Sequence, residues 1–124
     1  MSFDSFITFL PTQDLARTAR FYEEVLKLRL ALDQTRCRIY RVAQGGYVGF
    51  CLKDEIKQQD GVILTLVTED VDHWQALLTE HGVPIETPPV FNREFQIYQM
   101  FLRDPNGYLI EIQRFEDPRW NVKS

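Results

Sequence analysis

The 124-residue chain has few of the residues that build metal centres and disulfide frameworks, with two cysteines and two histidines. Cys37 and Cys51 form no CxxC pair, and we expect both to stay reduced in a cytoplasmic protein. His73 and His81 fall in one predicted helix, form no HExxH motif and are expected on the surface of that helix. These counts disfavour a histidine-based or cysteine-based metal site.

Long apolar runs and an excess of positive charge are also missing. No stretch of about 18 apolar residues is present, and the start MSFDSFITFLPTQD lacks the pattern of a signal peptide. We therefore expect a cytoplasmic protein that does not act at a membrane. The net charge of −4 disfavours a nucleic-acid partner and is compatible with cationic or neutral small molecules.

What remains is the composition of an ordinary globular domain, with 44% hydrophobic, 13% aromatic and 26% charged residues. A chain of this length suits a single domain, here residues 1–124. Residues 13–28 have helical spacing, because Leu15, Ala19, Tyr22 and Leu26 recur on one face after the candidate N-cap Asp14.

The predicted elements occur twice in the same order, strand, helix and three strands. In the first half the strands are predicted at 6–10, 29–33, 37–42 and 47–52, around the helix at 13–28. In the second half they are predicted at 61–69, 84–86, 95–102 and 108–114, around a helix from the N-cap Asp70 to Gly82. We infer two βαβββ modules, at about 4–54 and 61–116, followed by a tail at 117–124.

The two halves also match in residues. Ile7, Leu10, Thr12, Asp14 and Leu15 align with Ile63, Leu66, Thr68, Asp70 and Val71 at a constant offset of 56 positions. Near the end of each half, Gly46-Tyr47 aligns with Gly107-Tyr108 at an offset of 61. With this alignment, Phe50 is the predicted counterpart of Glu111.

This layout and the segment DPNGYLIE resemble the vicinal oxygen chelate superfamily, which includes glyoxalase I, extradiol dioxygenases, fosfomycin-resistance transferases and bleomycin-resistance proteins. The resemblance covers residues 5–115. It implies an α+β fold in which two tandem βαβββ modules form a curved mixed sheet that encloses a pocket, with the helices on the convex face. It also implies a homodimer, since members commonly complete their pockets with a second chain.

In metal-dependent members, the resemblance places the ligands at four positions, which fall here on Ile7, Phe50, Ile63 and Glu111. Three of these side chains have no donor atom, whereas a divalent metal needs three or four. An alignment slip of one residue brings in Phe6, Thr8, Gly49, Cys51, Val62 and Leu64, of which only Cys51 and Thr8 have a donor. We therefore expect no metal ligands and no cofactor.

Alternate residues of each strand face the same side of a sheet, so the resemblance also predicts the pocket lining. The predicted lining is Ile7, Phe9, Pro11, Val48, Phe50, Leu52, Ile63, Thr65, Val67, Leu109, Glu111 and Gln113. From this set we predict ligand contacts by Ile7, Phe9, Phe50, Ile63, Thr65, Glu111 and Gln113. Candidate ion-pair partners of Glu111 are Arg36, Arg38, Arg41, Arg93 and Arg103.

Three functions are compatible with these residues. The leading hypothesis is a metal-free small-molecule-binding protein of the glyoxalase/bleomycin-resistance type, with an apolar pocket and one acid, Glu111. The alternative is an enzyme, a glyoxalase-like lyase or isomerase or a dioxygenase-like protein, which uses unforeseen metal ligands or Glu111 as general base. The third is an interaction module whose barrel is filled by its own side chains.

Overall fold

The computed structural model describes residues 2–120, which divide into two compact units between Gln58 and Gln59. The first unit contains β1 (Phe6–Thr12), α1 (Leu15–Ala19), β2 (Arg29–Asp33), β3 (Cys37–Ala43) and β4 (Gly46–Leu52). The second contains β5 (Ile63–Val67), α2 (Val71–Glu80), β6 (Ile85–Asn92), β7 (Ile97–Arg103) and β8 (Leu109–Phe115). The predicted βαβββ order of both modules is confirmed. Across residues 2–120, neither helix is long and apolar enough to cross a membrane.

Each unit forms its own four-stranded mixed sheet. The strand orders are β1-β4-β3-β2 and β5-β8-β7-β6, so the first and last strands of each module are neighbours. These neighbours run parallel, as expected for strands joined through a helix, and the remaining pairs are antiparallel. The last strand of each module therefore lies at the centre of its sheet.

The first helix begins as predicted and then changes its pitch. Asp14 caps α1, because its Oδ1 accepts a hydrogen bond from the Arg17 backbone N–H at 2.9 Å. A π-helical segment, Arg20–Val25, follows directly, and the Leu26 N–H donates to the Phe21 carbonyl five residues back. Phe21 and Tyr22 are both buried, although a regular α-helix turns consecutive residues about 100° apart. The predicted continuous α-helix is thus corrected to an α-helical turn followed by wider turns.

The second helix ends as predicted but begins differently. Asp70 precedes α2 without a side-chain cap bond, and its own N–H donates to Thr68 Oγ1 at 3.1 Å. At the other end Gly82 has a φ of +74°, and the Val83 N–H donates to the Leu78 carbonyl at 2.9 Å. This is a Schellman ending, for which glycine is the favoured residue.

Aromatic side chains define the helix side of the first sheet. The Tyr22 ring from the π-helical segment lies 4.6 Å from the Phe50 ring and is stacked on Tyr40 at 6.0 Å, centroid to centroid. Phe50 and Tyr40 are both 0% exposed. Phe50 therefore belongs to the core between helix and sheet.

The opposite side, which we call the open face of the first sheet, is identified by Phe9. A Cβ atom built on Gly49 would lie 2.6 Å from two atoms of the Phe9 ring, so this ring covers Gly49. The register pairs Phe9 with Gly49 and Leu10 with Phe50. Ile7 and Phe9 lie on the open face as predicted, whereas the placement of Phe50 there was wrong.

The error has a simple origin in the alignment of the two modules. Matching Gly46-Tyr47 with Gly107-Tyr108 gave an offset of 61, but the registers place Phe9 opposite Gly49 and Thr65 opposite Glu111. Gly49 and Glu111 are 62 positions apart. Because side chains alternate between faces, a slip of one residue moves the β4 lining residues to the helix side. Val48 and Leu52 move there together with Phe50.

The two cysteines are also corrected. Cys37 on β3 and Cys51 on β4 are direct partners in the antiparallel register, 4.1 Å apart between Cα atoms, and form a disulfide. The expectation of reduced thiols, which rests on a cytoplasmic location, is therefore wrong for this structure. The register supplies the geometry of the disulfide, since directly opposite residues have closely spaced Cβ atoms.

In the second unit, the helix side of the sheet is identified by Tyr98. Its hydroxyl donates to Asp72 Oδ1 of α2 at 2.6 Å. Alternation along β7 places Met100 and Leu102 on the same side, where both are fully buried. Gln99 and Phe101 therefore lie on the other side, the open face of the second sheet.

Candidate functional site

The turn before β8 fixes which residues of that strand reach the open face. Asp104 is buried, and its Oδ1 accepts hydrogen bonds from the backbone N–H groups of Asn106 and Tyr108, both at 2.9 Å. Gly107 has a φ of +90°, a conformation that side chains disfavour. The turn thus sets the phase of β8 and directs Glu111 and Gln113 to the open face of the second sheet.

Glu111 is the centre of a buried polar cluster on that face. Its Oε1 accepts hydrogen bonds from the Thr65 hydroxyl at 2.9 Å and from Gln113 Nε2 at 3.2 Å. Its Oε2 accepts one from Gln99 Nε2 at 2.6 Å. The glutamate is only 7% exposed, so these three donors replace the hydration that burial removes.

A third amide side chain, that of Asn92, extends the cluster to the edge strand of the sheet. Asn92 Nδ2 on β6 donates to Gln99 Oε1 at 2.9 Å, while Asn92 Oδ1 accepts from the Phe95 N–H at 3.2 Å. The Gln99 amide is therefore held at both ends. We define the Glu111 cluster as Thr65, Asn92, Gln99, Glu111 and Gln113.

No arginine pairs with Glu111 in the described part of the second unit. Arg103 bonds Glu86 at 3.2 Å, and Arg114 bonds Glu116 at 2.7 Å. Arg93 makes no described contact with the cluster and is exposed. Within that part of the chain, the described hydrogen bonds to the carboxylate all come from neutral side chains.

Apolar side chains surround the cluster on the neighbouring strand. Ile63 and Val67 flank Thr65 on β5 at the two-residue spacing of one face and are 50% and 53% exposed. Half-exposed apolar residues next to a buried polar cluster are typical of small-molecule sites. Of the predicted contact residues, Ile63, Thr65, Glu111 and Gln113 therefore share the open face of the second sheet.

The open face of the first sheet is apolar at the corresponding place. Ile7 and Phe9 are 38% and 52% exposed, and Phe9 covers Gly49, the register counterpart of Glu111. Ile39 packs against the same spot, with its Cγ1 at 3.5 Å from a Cβ built on Gly49. No carboxylate fits at this position unless Phe9 moves.

The four positions where the superfamily resemblance places metal ligands do not suit a metal. With the register corrected, they are Ile7, Gly49, Ile63 and Glu111, and only Glu111 has a donor side chain. Among residues 2–120, no group of three or more His, Cys, Asp or Glu side chains is placed to hold an ion. The residues therefore do not fit the metal centre that the resemblance implies.

Comparison with known proteins identifies the family. A family model described as the Glyoxalase/Bleomycin resistance protein/Dioxygenase superfamily matches residues 5–112. The chain belongs to this superfamily. The predicted resemblance is confirmed. No curated protein matches the chain.

Solved structures of the superfamily fold are similar over nearly the whole chain. An integron cassette protein from the mobile metagenome of the Halifax Harbour sewage outfall has a TM-score of 0.79 and 23% identity, covering 90% of this chain and 97% of its own. A glyoxalase/bleomycin resistance protein/dioxygenase from Alicyclobacillus acidocaldarius has a TM-score of 0.76 and 22% identity, covering 96% of both chains. TioX from Micromonospora sp. ML1 has a TM-score of 0.74 and 22% identity, covering 89% and 97%. At these identities the similarity establishes the fold alone.

Two members of the Glu111 cluster, Asn92 and Gln99, were not predicted from the sequence. Predicting Gln99 requires the phase of β7, which begins at Ile97 and not at Phe95 as expected. Asn92 lies at the end of β6, a strand that was predicted only at 84–86 but spans Ile85–Asn92. The usable signal was Gln99 itself, because a glutamine in an apolar strand needs polar partners when buried.

Proposed function

We propose that this superfamily member binds a small molecule on the open face of the second sheet, without a metal, and that Glu111 is its polar contact. The observation that supports this most directly is a buried carboxylate with three neutral donors and no described cationic partner. An ionised carboxylate has about four acceptor positions, so Glu111 retains room for a ligand donor on Oε2. The half-exposed Ile63 and Val67 would contact an apolar part of the ligand.

The same bonding pattern favours binding over general-base catalysis. Three of the acceptor positions of Glu111 are occupied by Thr65, Gln99 and Gln113, which fix the carboxylate in one orientation. A ligand would therefore meet a rigid acceptor, which reduces the entropy lost on binding. Catalysis through Glu111, a homodimer and a cytoplasmic location remain predictions.

The binding proposal is tested by titrating the ¹⁵N-labelled protein with three small benzene derivatives that differ in charge. We expect benzylammonium and the neutral benzyl alcohol to shift resonances of β5 and β8, and benzoate to be rejected by the charge of Glu111. Glu111→Gln should weaken benzylammonium binding on the order of tenfold, since a hydrogen bond to a charged group is lost.

The matched control is Glu116→Gln, which removes an exposed carboxylate just beyond β8. This variant should bind as the wild type does. Wild-type affinity in Glu111→Gln, with all resonances of the fold retained, would reject Glu111 as the polar contact.

The absence of a metal requirement is tested separately, by melting the protein with nickel, zinc, manganese or iron. We expect no metal to raise the melting temperature, because Ile7, Gly49 and Ile63 have no donor side chains. A specific rise that disappears in Glu111→Gln would contradict the proposal.

A further inference from the structure

The amide groups beside Glu111 have a fixed polarity. An ionised carboxylate only accepts hydrogen bonds, so the amide nitrogens of Gln99 and Gln113 must both face it, at 2.6 and 3.2 Å. The carbonyl oxygens of both amides consequently point away from Glu111. The carbonyl oxygen of Gln99 has a donor in this orientation, because Asn92 Nδ2 donates to its Oε1 at 2.9 Å.

Gln113 differs from Gln99 at the carbonyl oxygen of its side-chain amide. Its Oε1 is buried and has no hydrogen-bond donor among residues 2–120, and the whole side chain is only 6% exposed. Turning the amide over would bring Oε1 towards the oxygen of Glu111, where two acceptors repel each other. The unmet acceptor therefore cannot be satisfied by a flip of its own amide, and a buried acceptor without a donor is unfavourable.

Two acceptor positions of the same cluster thus have no donor among residues 2–120. One is the free position on Glu111 Oε2, and the other is Gln113 Oε1, whose amide nitrogen is bonded to the same carboxylate. The first attracts positive charge as well as N–H groups. The second is a neutral carbonyl oxygen, so it selects for an N–H donor and not merely for charge.

We infer that Gln113 and Glu111 together recognise an organic cation that carries at least two N–H groups, such as a primary ammonium, an amidinium or a guanidinium. This inference rests on the proposed function and names the ligand class of that same site. One N–H donates to Glu111 and another to Gln113 Oε1. Cations without N–H groups, such as quaternary ammonium ions, leave Gln113 Oε1 unmet and bind more weakly.

The test uses three probes of equal charge and similar apolar bulk, benzylammonium, benzyldimethylammonium and benzyltrimethylammonium, which carry three, one and no N–H groups at neutral pH. Wild-type protein should bind benzylammonium on the order of tenfold more tightly than the trimethyl compound. In Gln113→Leu, which removes the second acceptor, benzylammonium and the dimethyl compound should agree within about twofold, because each can still donate one N–H to Glu111. The side-chain amide resonance of Gln113 should shift in the wild type with benzylammonium and not with the trimethyl compound.

Two further variants keep the test interpretable. Gln113→Met also removes the acceptor but keeps an unbranched side chain, so it replaces Gln113→Leu if that variant does not fold. Tyr98→Phe changes a polar group on the helix side of the same sheet and should retain the wild-type order of affinities. Folding of each variant is checked by its melting curve.

Each outcome separates this inference from the proposed function. Equal binding of all three cations, lost in Glu111→Gln, would overturn the N–H requirement and leave the function intact. If the neutral benzyl alcohol binds and its binding depends on Glu111, but none of the cations binds, the N–H requirement is also overturned and the proposed function is retained. An unchanged preference for benzylammonium over the dimethyl compound in Gln113→Leu would overturn the role of Gln113, since methyl bulk would then explain it. Binding that never depends on Glu111 would overturn both.

Discussion

At the scale of single residues, Thr65 is the donor to Glu111 that can be removed with the least change of shape. Thr65→Val deletes the hydroxyl and keeps a β-branched side chain suited to a strand. We expect it to lower the free energy of unfolding by about 1 kcal/mol, because the buried carboxylate loses one of three hydrogen bonds. Urea unfolding measures this change. Thr65→Ser retains the donor and serves as the control, and equal stability of the two variants would contradict the prediction.

Tyr40 offers a second residue-scale prediction, which concerns pH. Burial, followed by the hydrogen bond to Glu23 at 2.9 Å, raises the pKa of Tyr40 well above its usual range. Because the folded pKa exceeds the unfolded one, this contribution to stability is fully present below pH ~10 and is lost as pH rises above that value. The free energy of unfolding should therefore fall above pH ~10, and fall less in Tyr40→Phe.

Urea unfolding at a series of alkaline pH values measures this dependence. Glu23→Gln keeps an acceptor for the Tyr40 hydroxyl but removes the neighbouring charge, so its fall should be intermediate. An identical slope in wild type and Tyr40→Phe would exclude Tyr40 as its source.

Individual site residues were predictable only where the phase of a strand was known. Thr65, Glu111 and Gln113 follow from the facing that the superfamily resemblance implies, combined with the two-residue period of a strand, and the structure brings these three together. Gln99 signals a need for polar partners, but the apolar strand IYQMFLR does not itself show which side its residues face. In the structure, the hydrogen bond from Tyr98 to Asp72 of α2 identifies the side of β7 that faces the helix.

At the scale of elements, the two faces of the first sheet differ sharply in their packing. Phe50 is fully buried against Tyr22, whereas Phe9 is 52% exposed on the open face. We expect Phe50→Ala to lower the free energy of unfolding by about 3–5 kcal/mol, since it leaves a cavity in the core. Phe9→Ala should lower it by less than about 1 kcal/mol, because the ring is already half in water. Similar losses in urea unfolding would contradict the corrected phase of β4.

Element order was predictable from sequence, and local geometry was not. Periodicity and the internal repeat predicted both βαβββ modules, but β6 was predicted only at 84–86 and continues through Pro88 and Pro89 to Asn92. The strand accommodates these prolines by lying at the edge of its sheet, with two register shifts against β7. The π-helical segment likewise depends on how Phe21 and Tyr22 pack, which no local pattern reveals.

The turn before β8 yields an element-scale prediction with a matched control. Gly107 and Gly82 both have positive φ, +90° and +74°. A Cβ on Gly107 would lie 2.7 Å from Gln59 Nε2, whereas a Cβ on Gly82 would meet nothing within 4 Å. Both alanine variants should lose about 1–2 kcal/mol from the strained backbone, and Gly107→Ala should lose more. In thermal or urea unfolding, Gln59→Ala should reduce the difference. A larger loss in Gly82→Ala would contradict this account.

At the scale of the whole molecule, the registers show how the two modules differ at corresponding places on their open faces. The register pairs Thr65 with Glu111 in the second module and Phe9 with Gly49 in the first. The first module thus has the Phe9 ring over Gly49 at the place where the second module has Thr65 beside Glu111. The two modules share their fold while differing in chemistry, which is why the repeat predicts the fold but does not predict the polar side chains of the Glu111 cluster.

The Cys37–Cys51 disulfide also distinguishes the first unit from the second. It closes a short loop, with a sequence separation of 14, and ties β3 to β4. A loop of this length is expected to stabilise the folded state by about 3 kcal/mol, by restricting the unfolded chain. Reduction should therefore lower the free energy of unfolding by about this amount and speed amide exchange in β3 and β4.

Urea unfolding with and without reductant measures the loss, and the intact mass after alkylation reports the thiol state. Cys51→Ser should resemble the reduced protein and should not respond to reductant. An unchanged unfolding curve for a protein whose cysteines have become alkylated would show that the bond adds no stability. A protein purified without reductant whose cysteines are both alkylated from the start would instead support the reduced state expected in the cytoplasm.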